Sequence, residues 1–195
     1  AGADACLLVT PYYNKPNQKG LFEHYKAIND AVDIPQILYN VPPRTGCDIE
    51  NDTVIMLSQL SNIIGIKDAT GELARIDFLK GKVKSNFIFI SGDDLSFLEF
   101  MERGGCGVIS VTANVKPDLM HNICHTILSG DKEKSRIINN QLASLHKAMF
   151  VDSNPIPVKW LLNYLGLINK GIRLPLVELD KKYQTNLIEI FEDIK

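Results

Sequence analysis

The chain has 195 residues, 45% of them hydrophobic, with 21 basic and 23 acidic side chains and a formal charge of −2. That length allows one domain with a substantial core. The balanced charge, without any Lys/Arg block, argues against a nucleic-acid or membrane-surface binder, and no apolar stretch reaches the ~18 residues of a bilayer span.

The chain opens on Ala1-Gly2-Ala3-Asp4, with neither an initiator methionine nor an opening element. Gly2 reads as the stop of a preceding helix, so a longer parent chain is expected. No signal peptide is visible. Short apolar runs then alternate with amphipathic segments. Strands are expected at Cys6–Thr10, Gln36–Asn40, Ile63–Lys67, Phe87–Ser91 and Gly107–Ser110. In the first intervening segment Leu21, Phe22, Tyr25, Ile28 and Val32 fall on one helical stripe. Asn51-Asp52-Thr53, Thr70-Gly71-Glu72, Asp93-Asp94 and Pro117-Asp118 open four more helices. Beyond them Asp131–Phe150, Pro157–Leu165 and Leu179–Ile194 read as three further helices.

Five βα units in series predict parallel strands with crossover helices, and strands that are apolar throughout predict cover on both faces. No GxGxxG follows any strand, which removes support for an open dinucleotide-binding sheet. Gly104-Gly105-Cys106-Gly107 precedes a strand and reads as a helix stop, not a phosphate cradle. The remaining α/β architecture is a (β/α)8 TIM barrel, which typically takes about 250 residues. About five of its eight units are expected here, in residues 1–130, followed by a three-helix region in residues 131–195.

The four cysteines, Cys6, Cys47, Cys106 and Cys124, are widely spaced and form no CxxC pair. Cys6 and Cys106 lie in apolar runs, where a reduced thiol behaves as a small hydrophobe; free thiols and a cytoplasmic location are expected. His121 and His125 stand at i and i+4 without a third ligand, and read as helix-surface residues with no metal.

In a barrel the chemistry sits at the carboxyl ends of the strands. Lys67 ends the third expected strand, walled by apolar neighbours. Desolvation disfavours the ammonium, and a neutral lysine amine can form a Schiff base with a carbonyl. Taken singly, a strand-end lysine more often snorkels to solvent. Tyr39 ends the preceding strand, within reach of the same mouth, where a phenol can relay protons. Arg44 stands in Pro42-Pro43-Arg44-Thr45-Gly46, a rigid loop from which a guanidinium can hold a carboxylate bidentately.

These strings carry a family resemblance. Leu38-Tyr39-Asn40-Val41-Pro42-Pro43-Arg44-Thr45-Gly46 followed by Gly65-Ile66-Lys67-Asp68-Ala69-Thr70-Gly71 resembles the 4-hydroxy-tetrahydrodipicolinate synthase (dihydrodipicolinate synthase) family. So do Thr10-Pro11-Tyr12-Tyr13-Asn14-Lys15-Pro16 and Asn154-Pro155-Ile156-Pro157-Val158-Lys159, in order along essentially the whole chain. The resemblance implies a class I aldolase-type lyase of lysine biosynthesis by the diaminopimelate route. Pyruvate would form a Schiff base and add, as its enamine, to L-aspartate 4-semialdehyde.

It implies Lys67 as the Schiff-base lysine, Tyr39 as the proton relay and Arg44 as the group binding the aldehyde substrate's carboxylate. Tyr13 would reach across a tight dimer interface into the neighbouring site, and Tyr12 would lie near a lysine effector site. Gly92 and the carbonyl of Ile109 would line the pyruvate pocket. No metal or organic cofactor is implied, and a homotetramer built as a dimer of dimers is. The family also carries three earlier βα units, with a threonine pair that binds the pyruvate carboxylate. These residues have no counterpart to them, so the isolated chain is expected to leave its barrel open and to have little activity. Two alternatives stay open: an N-acetylneuraminate or keto-deoxy-sugar aldolase, against which Arg44 discriminates, and a non-catalytic remnant.

Overall fold

A computed structural model describes residues 2–194; Ala1 and Lys195, the outer limits of the two expected regions, lie outside the described residues. The chain divides into two compact units, one ending at Ile109 and one beginning at Ser110.

In the first unit, strands β1 (Cys6–Val9), β2 (Gln36–Asn40), β3 (Ile63–Asp68), β4 (Ile88–Ser91) and β5 (Gly107–Val108) form one sheet. They pair in chain order and all are parallel. A doubly wound sheet reverses its strand order at a switch point, whereas a barrel adds each strand beside the last. The monotonic order is therefore that of a (β/α)8 barrel sector. Helices α1 (Gln18–Ala31), α2 (Pro42–Thr45), α3 (Asn51–Leu57), α4 (Leu73–Leu79) and α5 (Phe97–Glu102) make the connections.

Local signals explain several element ends. Asn17 caps α1, its side chain accepting from the Gly20 amide at 2.9 Å. Helix α5 starts later than its sequence suggests. Asp93 Oδ2 accepts from both the amide and the hydroxyl of Ser96, at 2.9 and 2.6 Å. The Asp93 carboxylate thus shapes a turn ahead of the helix. The Pro42-Pro43-Arg44-Thr45 segment, expected as a loop, is the short helix α2, because both prolines suit a first turn.

Alternate strand residues face opposite sides of the sheet. Leu38 and Ile66 are register partners turned toward the helices, where they join Leu21, Leu57 and Ile76 in one core. The cover expected on both strand faces is met on this helix side. On the other side Leu7 and Val9 of β1 are exposed by 41% and 40%. Gly65 sits where strands β3 and β4 approach closely. A Cβ there would fall 2.2 Å from Ile88 Cγ1, so a side chain would push the strands apart. Cys106 is exposed rather than buried in an apolar run.

In the second unit, a 3-10 turn (Thr112–Asn114) precedes α6 (Pro117–Leu128), α7 (Lys132–Ala148), α8 (Ile156–Tyr164) and α9 (Lys181–Glu192). Asp131 caps α7 through the Lys134 amide, and Ile123, Leu142, Leu145 and Leu161 are fully buried. No helix among the described residues is long and apolar enough to cross a membrane.

Candidate active site

Strand register brings Tyr39 of β2 directly opposite Lys67 of β3. Both side chains point away from the helix layer, since their neighbours Leu38 and Ile66 point into it. Lys67 Nζ lies 4.0 Å from the Tyr39 ring centroid, and Lys67 is only 8% exposed. Burial lowers the Lys67 pKa from its ordinary value, and the Asp94 carboxylate partly opposes that shift. The ring face also favours the ammonium, which keeps the amine close to Tyr39. Burial raises the Tyr39 pKa, partly opposed by the Arg44 guanidinium, so the phenol stays protonated at neutral pH.

Gly92 follows β4 and makes room for the lysine. A Cβ at this position would lie 2.8 Å from Lys67 Cε and 2.8 Å from Ala69 Cβ. Its amide donates to the Asp68 carbonyl at 2.7 Å, holding the backbone tight against the end of β3. Ile109, 47% exposed, donates its amide to the Ser91 carbonyl at 2.9 Å, beside Gly92.

Arg44 is exposed on α2. Gly46 ends that helix with φ +66, a left-handed conformation natural to glycine, and its amide donates to the Pro42 carbonyl at 2.8 Å. The Thr45 hydroxyl donates to the Cys47 carbonyl at 2.9 Å. The stem of Lys15 packs over Gly46, leaving 2.8 Å between its Cε and the place of a Cβ. The loop bearing Arg44 is therefore held from both sides.

The structure brings Lys67, Tyr39 and Gly92 together and places Arg44 within electrostatic range of Tyr39. It does not bring Tyr12 or Tyr13 to the lysine: they are 68% and 88% exposed on the segment after β1. Tyr13 has φ +67 and Lys15 φ +46, a left-handed backbone that non-glycine side chains adopt at a cost.

Two features escaped sequence reasoning. Asp94, 2% exposed, acts electrostatically on Lys67. Asn40 and Asp68, each one residue beyond a site residue, enter a polar network with the buried Arg75 and the partly exposed Asp48. Their signal was an amide and a carboxylate at paired strand ends, which a sequence shows without their partners. Among the described residues no group of three or more His, Cys, Asp or Glu could hold a metal ion. The rings of His121 and His125 stack at 6.0 Å on α6.

A sequence model of the Dihydrodipicolinate synthetase family matches residues 1–194. Among curated proteins, the 4-hydroxy-tetrahydrodipicolinate synthase of Thioalkalivibrio sulfidiphilus is 53% identical over 97% of this chain and 64% of its own length. That of Pseudomonas putida is 58% identical over 93% of this chain and 62% of its own. Among solved structures, the chloride-inhibited dihydrodipicolinate synthase from Acinetobacter baumannii, complexed with pyruvate, superposes with a TM-score of 0.93 at 51% identity. It covers 99% of this chain and 66% of that one. The dihydrodipicolinate synthase from Thermotoga maritima gives 0.95 at 42% identity, over 98% of this chain and 66% of its own. The chain thus spans under two thirds of the length of these relatives.

Proposed function

This chain belongs to the Dihydrodipicolinate synthetase family, and we propose that the whole protein condenses pyruvate with L-aspartate 4-semialdehyde to give 4-hydroxy-tetrahydrodipicolinate. The observation that carries this reading is the desolvated Lys67 amine 4.0 Å from the Tyr39 ring. A neutral fraction of that amine attacks the pyruvate ketone, forms a carbinolamine and expels water to leave an imine. Loss of a methyl proton gives the enamine, whose carbon adds to the aldehyde of the second substrate; the amino group of that substrate then attacks the imine carbon, closing the ring and expelling the Lys67 amine. The pyruvate-bound relative from Acinetobacter baumannii supports the first substrate.

The Tyr39 phenol, held protonated by burial, moves protons at the carbinolamine and at the new alcohol. The lysine amine meets the ring face, so that relay runs to atoms of bound substrate rather than to free Lys67. Arg44, exposed on a braced helix, clamps the carboxylate of the aldehyde substrate. The gap at Gly92 and the Ile109 carbonyl line the pyruvate pocket. Tyr13, projecting into solvent, enters the site of a second copy in a homotetramer built as a dimer of dimers; Tyr12 lies near an effector site. The chemistry asks for no metal or organic cofactor, because the imine itself serves as the electron sink. A cytoplasmic location belongs to the same reading, given free thiols and this metabolic role.

The test is borohydride reduction of the full-length protein with pyruvate, followed by peptide mass analysis. A reduced adduct on Lys67 is expected; its absence overturns the reading. Turnover of aspartate semialdehyde, against N-acetylneuraminate, then checks the second substrate.

A further inference from the structure

Behind the Lys67–Tyr39 pair, on the helix side of the sheet, lies a network that the proposed chemistry does not use. Asn40 and Asp68 are register partners one step beyond Tyr39 and Lys67. Alternation turns them to the opposite face of the sheet. Asn40 is fully buried, Asp68 is 7% exposed, and Arg75 of α4 is 8% exposed.

Arg75 uses its whole fork. Nε donates to Asp68 Oδ2 at 3.1 Å, Nη1 to Asp48 Oδ2 at 3.1 Å and Nη2 to the Ile49 carbonyl at 2.5 Å. Asp48 Oδ1 in turn accepts from Asn40 Nδ2 at 2.6 Å, and Asn40 Oδ1 accepts from the Ile49 amide at 3.1 Å. Asp68 Oδ1 accepts from the Thr70 amide and hydroxyl, at 2.8 and 2.5 Å. One guanidinium therefore joins the end of β3, the end of β2 and the segment that returns from Arg44.

We infer that Arg75 is a positioning residue: through Asp68 and through Asp48–Asn40 it sets the relative placement of Lys67 and Tyr39 and anchors the loop bearing Arg44. This inference rests on the catalytic reading of Lys67 and Tyr39 given above. The geometry demands arginine. A planar fork with several donors can meet a carboxylate on either side and a carbonyl at once, whereas a lysine ammonium is a point charge on a flexible stem. The ladder holds the two backbones together, the Ala69 amide donating to the Asn40 carbonyl at 2.9 Å. A charge alone would not fix the finer placement of the strand ends, and displacements near 1 Å are enough to cost about 100-fold in rate.

The experiment compares full-length wild type with Arg75→Lys, Arg75→Met and Asp48→Asn. Readouts are thermal melting, kcat, KM for pyruvate and the rate of borohydride trapping on Lys67. Arg75→Lys keeps a buried positive charge, and is expected to fold while losing about 10- to 100-fold in kcat and trapping rate with KM for pyruvate nearly unchanged. Asp48→Asn, at a partly exposed position, gives the same split if the Arg75 variants do not fold. Retention of wild-type kcat and trapping rate by Arg75→Lys, or by Asp48→Asn where the Arg75 variants are unfolded, overturns the inference. So does an effect confined to melting temperature. A wild-type protein that forms no adduct on Lys67 overturns the catalytic reading and this inference together.

Discussion

The backbone at Gly92 passes so close to Lys67 that a single methyl on its Cα would come within 2.8 Å of the lysine Cε. The catalytic candidate thus lies in a slot whose far wall is a hydrogen atom.

Filling that slot is the most direct test of the geometry. Gly92→Ala is expected to displace the lysine stem, because Ala69 Cβ and the Asp68 carbonyl block the other directions at 2.8 and 3.3 Å. Pyruvate trapping on Lys67 should slow about 10- to 100-fold while the variant remains folded. Wild-type trapping kinetics in Gly92→Ala would show that the slot is not needed.

The buried amine should leave a signature in stability. Its folded pKa is lowered from 10.5 by desolvation. A lysine with a depressed folded pKa binds more protons unfolded than folded, so stability rises with pH between the folded value and 10.5. Below that window the protein carries the full cost of burying the ammonium. Lys67→Met, which forms no adduct, is therefore expected to melt higher at neutral pH, by about 1 kcal/mol of stability. The advantage should shrink as pH approaches 10.5. Melting curves of both proteins across pH 7 to 10.5 check the sign.

Tyr39→Phe keeps the ring beneath the amine and removes only the hydroxyl. The loss in kcat is expected at about 100- to 10,000-fold, the usual worth of a positioned acid–base group. Stability should change by less than about 1 kcal/mol. Steady-state kinetics beside a thermal melt separate the two effects.

Arg44 is exposed and sits on an independently braced helix, so Arg44→Ala should leave stability within about 0.5 kcal/mol. The KM for aspartate semialdehyde should rise about 10- to 100-fold, the value of a charge-assisted hydrogen-bonding pair, with KM for pyruvate unchanged. Equal effects on both substrates would remove Arg44 from the carboxylate role.

Much was legible before any coordinates. Four strands fall within one residue of their apolar runs, and the fifth closes at Val108, two residues before Ser110. Strand ends rich in polar residues marked the side of the sheet where Lys67, Tyr39 and Arg44 lie. The start of α5 depends on which donors the Asp93 carboxylate meets, and the turn at α2 on the Gly46 amide reaching back to the Pro42 carbonyl, neither of which local sequence shows. Exposure of Cys106 was not legible either, since a run of letters says nothing about what covers it.

What the order of residues determined was periodicity: which segments are strands, which are helices, and which polar groups end each strand. These follow from local chain geometry and the burial of apolar stripes. The fold settled what depends on distance across the sheet. Tyr39 faces Lys67 because, after a shift between Gln36 and Ile37, β2 and β3 hold one register from Ile37–Gly65 to Asn40–Asp68. The same register aligns Asn40 with Asp68 on the opposite face, where Arg75 can reach both strand ends through partners 7 and 27 positions away. Contacts of that kind join residues that no local periodicity links, and their strength comes from the low dielectric that packing creates.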